Sequence, residues 1–151
     1  MVKCFQGRTV HTLDPKGRFI IPSRFKDVIN EGGGDGIIIT NFDNCLYAYT
    51  YKEWETVIEK MKSIAKKGEK FRRFRRFFIG GAFDCQCDKQ GRILIPQPLR
   101  EYANLEKDII LVGVTEHFEI WSKESWIKEN EKMQNEMNDE DIREDISELG
   151  L

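Results

Sequence analysis

The chain has 151 residues, 40% of them hydrophobic and 33% charged, with a formal net charge of −2. That length allows one compact domain or two small lobes sharing a core, and no stretch approaches the roughly 18 uninterrupted apolar residues of a membrane helix. The total conceals a segregation: Glu129 to Leu151 carry nine acids and two bases, a net of −7, leaving 22 bases against 17 acids over the first 128 residues, a net of +5. A weakly acidic chain therefore still has a body able to present a positive face.

The first residues, "MVKCFQGRTVHTLD", contain no apolar run long enough for a signal peptide, so a cytoplasmic address is expected. They lead into "DPKGRFIIP", Asp14 to Pro22. Asp14-Pro15-Lys16-Gly17 reads as a tight turn. The aspartate can accept from backbone N–H groups of the turn, proline suits the second position, and glycine tolerates φ > 0 at the bulge that closes a hairpin. Arg18 is the first residue past that turn, and two roles are open to it. It can pair with Asp14 and brace the hairpin, or project from a ribbon toward phosphate oxygens or a guanine edge, since a two-stranded ribbon fits the major groove. Lys16 adds a second positive charge at the tip. Phe19-Ile20-Ile21 is apolar on both faces, which predicts a buried strand that Pro22 ends.

Phe25, Val28 and Ile29 at i, i+3, i+4 predict a short helix with Ser23 as its cap. The glycine run in "NEGGGDG" lacks the Lys-Ser/Thr of a phosphate-binding loop and reads as a break. Two strands follow, Ile37 to Thr40 and "CLYAYT". Thr50 with Glu53 then forms a capping-box pattern. It opens a helix whose apolar stripe is Trp54, Val57, Ile58, Met61, Ile64 and Ala65, with Lys60, Lys62, Lys66 and Lys67 outside it. The next segment, "KKGEKFRRFRRFF", is the strongest basic cluster. Phe71, Phe74 and Phe78 lie at roughly helical spacing, flanked by Arg72, Arg73, Arg75 and Arg76, which leaves open a secondary DNA-contacting surface, a membrane-surface helix or a subunit contact.

From Asp88 the chain repeats itself. "DKQGRILIP", Asp88 to Pro96, matches the earlier phrase at an offset of 74, with Lys89 at its tip and Arg92 in the place of Arg18. Leu99, Tyr102 and Ala103 restore the short helix, with Pro98 near its first turn. After a shorter break the offset becomes 72: Ile109 to Val112 and "HFEIWS" restore the strands, and Trp126 takes the place of Trp54. Each unit reads hairpin, short helix, two strands, helix, which makes the chain α+β. A unit of about 70 residues is marginal alone, so the copies are expected to fold against each other as an internal pseudo-dimer. The divisions are residues 1–70, residues 71–128 and an acidic tail, 129–151.

Nothing in the remaining residues assembles a reaction. Cys4, Cys45, Cys85 and Cys87 lack zinc-site spacing and read as reduced, hydrophobe-like thiols; Cys85 and Cys87 would share a strand face. His11 and His117 hold unrelated places in the repeat, and no nucleophile stands at relay spacing from either. The expectation is no enzyme, no metal and no cofactor.

The two phrases "DPKGRFIIP" and "DKQGRILIP", with "RRFFIGGAFDCQCDKQGRILIPQPLREYANL" and "KDIILVGVTEHFEIWSKESW", closely resemble the MraZ family of bacterial transcriptional regulators, over nearly all of Met1 to Trp126. That resemblance implies an AbrB-like swapped-hairpin fold and a homo-oligomeric ring. It also implies D-x-x-x-R elements that contact double-stranded DNA, at direct repeats ahead of the division and cell-wall operon that includes the regulator's own gene. It makes Asp14, Arg18, Asp88 and Arg92 the reading positions, with Lys16 and Lys89 beside them, arginines contacting and aspartates holding. It places the protein at the nucleoid. The rival from another class is an oligomeric interaction scaffold that uses the same hairpins between subunits; a hydrolase hidden in the fold is the second rival.

Overall fold

The computed structural model describes residues 3–63 and 68–151. Ile64, Ala65, Lys66 and Lys67, read above as part of a helical stripe and its outer face, lie outside the described residues. The first half runs β1 (Phe5–Thr12), β2 (Arg18–Ile20), α1 (Ser23–Glu31), β3 (Gly36–Phe42), β4 (Cys45–Thr50) and α2 (Tyr51–Ser63). The second runs α3 (Glu69–Phe78), β5 (Phe83–Gln86), β6 (Arg92–Leu94), α4 (Gln97–Tyr102), β7 (Asp108–Thr115), β8 (His117–Ser122) and α5 (Lys123–Glu136), followed by α6 (Glu140–Glu148). Among the described residues, no helix is long and apolar enough to cross a membrane.

The strands show how two weak units become one. A six-stranded sheet has the order β1-β7-β8-β4-β3-β5, and a second, two-stranded sheet is β2-β6. Under the repeat, β1 corresponds to β5, β7 to β3 and β8 to β4, so the order reads the same from either end. The register obeys the same symmetry: His11 pairs with Ile109 on one edge and Cys85 with Ile37 on the other. At the centre Leu46 pairs with Ile120 and Ala48 with Phe118. Each half therefore sends its edge strand to complete the other half's part of the sheet, as the swapped-hairpin resemblance implies. Neither unit retains its full set of backbone partners without its twin.

The large sheet has two covered faces. On one, Ile37, Ile39, Leu46, Ile109, Leu111 and Phe118 meet the inward side of the β2-β6 layer, Phe19, Ile21, Ile93 and Ile95, with Phe25 of α1 and Leu99 of α4. On the other, Tyr49 packs with Met61 of α2 and Phe78 of α3, while Cys45, Ile110 and Trp121 receive Trp126 of α5. β3 shows the alternation: Ile37 and Ile39 point to the first face, Thr40 and Phe42 to the second, where Thr40 Oγ1 donates to the Phe78 carbonyl.

Local chemistry explains the element boundaries. Thr50 Oγ1 accepts from the backbone N–H of Glu53 at 3.2 Å, and Ser122 Oγ accepts from Ser125 at 3.0 Å, so the same cap opens α2 and α5. Ser23 does not cap α1. Pro22 occupies that position in extended backbone, placing Ser23 one step inside the helix; Pro96 does the same for α4, with Pro98 in the first turn as expected.

Candidate nucleic-acid interface

Both D-x-x-x-R elements fold identically, and the aspartate organises each. Asp14 Oδ1 accepts from the backbone N–H groups of Lys16 (3.0 Å) and Arg18 (2.9 Å), while Oδ2 accepts from Arg18 Nε at 2.6 Å. Asp88 Oδ1 accepts from Gln90 (2.9 Å) and Arg92 (2.8 Å), and Oδ2 from Arg92 Nε at 2.8 Å. The turn closes through Gly17 N–H to the Asp14 carbonyl and Gly91 N–H to the Asp88 carbonyl. Gly17 and Gly91 take φ of +89° and +77°, the left-handed bulge that admits glycine without strain. Hydrogen bonds from the Arg18 backbone N–H, then from its side chain, hold the Asp14 carboxyl below the ordinary aspartate range. Arg92 does the same for Asp88.

Bracing and projection, alternatives in the sequence, coexist in this geometry. Among the described residues the braced hydrogen bonds use Nε alone, which leaves Nη1 and Nη2 of each guanidinium without a protein partner. The side chains remain 26% exposed at Arg18 and 29% at Arg92. The ribbon that carries them differs from a simple hairpin. Beyond each tip the arms part, and the ribbon forms between halves: Arg18 stands opposite Leu94, Phe19 opposite Ile93 and Ile20 opposite Arg92. Two further bonds, Ile21 N–H to the Gly91 carbonyl and Ile95 N–H to the Gly17 carbonyl, tie each strand's end to the other half's tip.

This ribbon corrects one expectation. Phe19-Ile20-Ile21 and Ile93-Leu94-Ile95 are not buried on both sides: Ile20 is 62% exposed and Leu94 48%. A three-residue strand alternates like any other, and here the large sheet covers only one side of the two-stranded layer. The outward side thus carries two arginines on one diagonal and two aliphatic side chains on the other.

Lys16 and Lys89 lie exposed on the turns. Two further cations stand beside the tips. Arg100 of α4 donates from Nε to the Ile95 carbonyl at 2.9 Å and lies against Gly17. Lys26 of α1 donates to Cys87 Sγ at 3.0 Å, one residue before Asp88. Each helix reaches across to the other half's turn. Residues 26 and 100 are 74 apart, so the repeat offset itself was the signal that could have found them.

The basic cluster falls elsewhere. α3 packs through Phe74 and Phe78 against Phe42 (5.4 and 5.7 Å between ring centroids), on the sheet face opposite the one covered by the ribbon. Arg72, Arg73 and Arg76 are exposed and Arg75 is half-buried; Glu69 lies within 3.9 Å of Arg72 and 3.4 Å of Arg73. α3 also meets α4, where Phe77 and Tyr102 have ring centroids 5.5 Å apart.

Cys85 is buried and Cys87 half-buried, both against the same core as expected for one strand face. His117 stacks on Tyr47 at 4.3 Å and lies 3.7 Å from Glu119, whose Oε1 accepts from Trp121 Nε1. Among the described residues His117 Nε2 is buried without a hydrogen-bond partner.

Comparison with known proteins identifies the family. A family profile described as "MraZ protein, putative antitoxin-like" matches residues 4–77 and again 78–147. A "Transcriptional regulator MraZ" of Desulforapulum autotrophicum is 52% identical over 147 residues, covering 97% of this chain and 99% of that one. Proteins of the same name from Desulfosudis oleivorans and Pelotomaculum thermopropionicum are 51% and 46% identical over 148 residues, each covering 97% of this chain and 99% and 98% of their own. With both repeats matched and the likeness running through nearly the whole length, this chain belongs to the MraZ family.

Proposed function

We propose that this protein is a sequence-specific DNA-binding transcriptional regulator that lays the β2-β6 ribbon into the major groove. The observation that carries the reading is the pair Arg18 and Arg92, set on the outward side of one rigid ribbon, each fixed at Nε by its aspartate, with Nη1 and Nη2 unpartnered among the described residues. A guanidinium so presented matches the O6/N7 edge of guanine or a phosphate in two-pronged fashion. Preorganisation by Asp14 and Asp88 reduces the side-chain entropy lost on contact.

In this reading Arg18 and Arg92 contact bases, Lys16 and Lys89 meet phosphates beside them, and Asp14 and Asp88 position. The relatives' name, transcriptional regulator, supports the same class of function. Residues 1–70 and 71–128 form the two DNA-presenting units and 129–151 an acidic appendage. The targets are direct repeats in the promoter of the division and cell-wall operon containing the protein's own gene, bound by a ring of identical subunits at the nucleoid, in the cytoplasm. A head-to-tail ring suits direct repeats, and many weak contacts add through effective concentration. α3, whose Phe74 and Phe78 pack on Phe42, serves packing and assembly in preference to DNA.

Equilibrium binding to a duplex from the protein's own upstream region, measured across a salt series, tests the reading. Affinity falls with rising salt as cation contacts displace counterions. Absence of binding at low salt, or a salt-independent affinity, would overturn it.

A further inference from the structure

Ile20 and Leu94 pose a question that the arginines do not answer. Both are aliphatic, both follow a buried side chain in a three-residue strand, and both face outward, at 62% and 48% exposure. They occupy corresponding places in the repeat, so the exposure occurs twice. Packing does not account for them, because the core beneath is filled by Phe19 and Ile93, at 1% and 0% exposure.

Their neighbours identify the occupant. On the ribbon's outward side, Ile20 is opposite Arg92 and two residues from Arg18; Leu94 is opposite Arg18 and two residues from Arg92. Strand geometry sets these four Cα atoms on a rectangle of about 5 by 7 Å, with the arginines about 8 Å apart on one diagonal and the aliphatic pair on the other. Successive bases rise ~3.4 Å along a strand, so the whole quartet spans two to three base pairs. Two unpartnered guanidinium ends beside each apolar side chain disfavour another apolar protein surface and favour one that is anionic with apolar points. The major groove has that character: phosphates and guanine acceptors, with the C5-methyl of thymine as its apolar feature.

We infer that Ile20 and Leu94 are specificity-determining residues that seat thymine methyl groups between the base pairs read by Arg18 and Arg92. This rests on the DNA-binding reading and deepens it, assigning thymine recognition at positions interleaved with guanine recognition. The aliphatic pair contributes nothing to phosphate contact, so it acts on sequence preference and leaves the salt dependence untouched.

The test compares thymine with uracil, which differ at that carbon by one methyl. The probe is a duplex from the protein's own upstream region, prepared with thymine or with uracil, against the wild-type protein and Ile20→Ser/Leu94→Ser. The wild type is expected to bind the uracil duplex about fourfold more weakly per methyl contacted, the value of one buried methylene. The double variant is expected to bind the thymine duplex more weakly than the wild type does, to bind both duplexes alike, and to keep the wild-type salt slope. Equal wild-type affinity for the two duplexes overturns the inference while leaving DNA binding intact, and needs no variant to fold. If the wild type binds neither duplex, the functional reading falls and the inference with it. If the two duplexes bind alike and the variant changes oligomeric state, the pair is a contact between copies and the inference is wrong.

Discussion

Phe19 stands directly opposite Ile93 in the β2-β6 ribbon, and both are buried, so the approximate twofold axis of the molecule passes between two unlike side chains. The pair joins one half to the other at the point where both arginines are mounted. Stability and the proposed DNA-contacting surface therefore share this contact.

Truncating one member should be felt by the whole chain. Ile93→Ala removes a fully buried side chain and is expected to lower unfolding free energy by about 2–5 kcal/mol. Because edge strands cross between the halves, urea unfolding should remain one cooperative transition for wild type and variant. Two separated transitions would mean that the halves are independently stable.

The two turn glycines are expected to differ. Ala at either must adopt φ near +80°, a strain of about 1–2 kcal/mol. At Gly91 a Cβ meets none of the described residues within 4 Å, but at Gly17 it falls 2.7 Å from the Arg100 guanidinium, which is bonded to the Ile95 carbonyl. Gly17→Ala should thus cost about 1 kcal/mol more than Gly91→Ala through that lost bond, as read by chemical denaturation.

The aspartate braces carry a pH dependence with a definite sign. Asp14 and Asp88 are held below their ordinary value of 3.8 chiefly by the backbone N–H of Arg18 and Arg92. Their contribution to stability is thus present above the unfolded value and lost as pH falls through the lower folded values. Carboxyl-carbon NMR titration should give both residues midpoints below 3.8, and Asp14→Asn should remove the corresponding part of the acid-side stability change. Midpoints at or above the ordinary value would mean that the braces are open in solution.

What could be read from the residues depended on how local the determining physics was. Gly17, Gly91 and the Thr50 cap follow from turn and helix chemistry within four residues, and all stand where the sequence puts them. The pseudo-dimer could be anticipated because the unit is repeated and one copy alone is marginal, but which strands cross, as in His11/Ile109 and Cys85/Ile37, is set by the tertiary pairing. Two readings failed where neighbours decide: Ile20 and Leu94 look like core in a bare apolar run, and only the layer order leaves them uncovered; Ser23 looks like a cap until Pro22 takes the position. Lys26 and Arg100 carry no local motif, and their approach to the tips exists only once the halves cross.

The most direct measurement concerns the guanidinium pair itself. Arg18→Ala/Arg92→Ala and wild type, compared at matched oligomeric mass from light scattering, should differ in affinity for the upstream duplex by at least about thirtyfold, the loss of two contacts worth 1–3 kcal/mol each. The salt slope should fall while assembly is unchanged. An unaltered affinity, or an assembly that breaks down while DNA binding is never seen in either protein, would contradict the account and favour a scaffold that uses this ribbon between subunits.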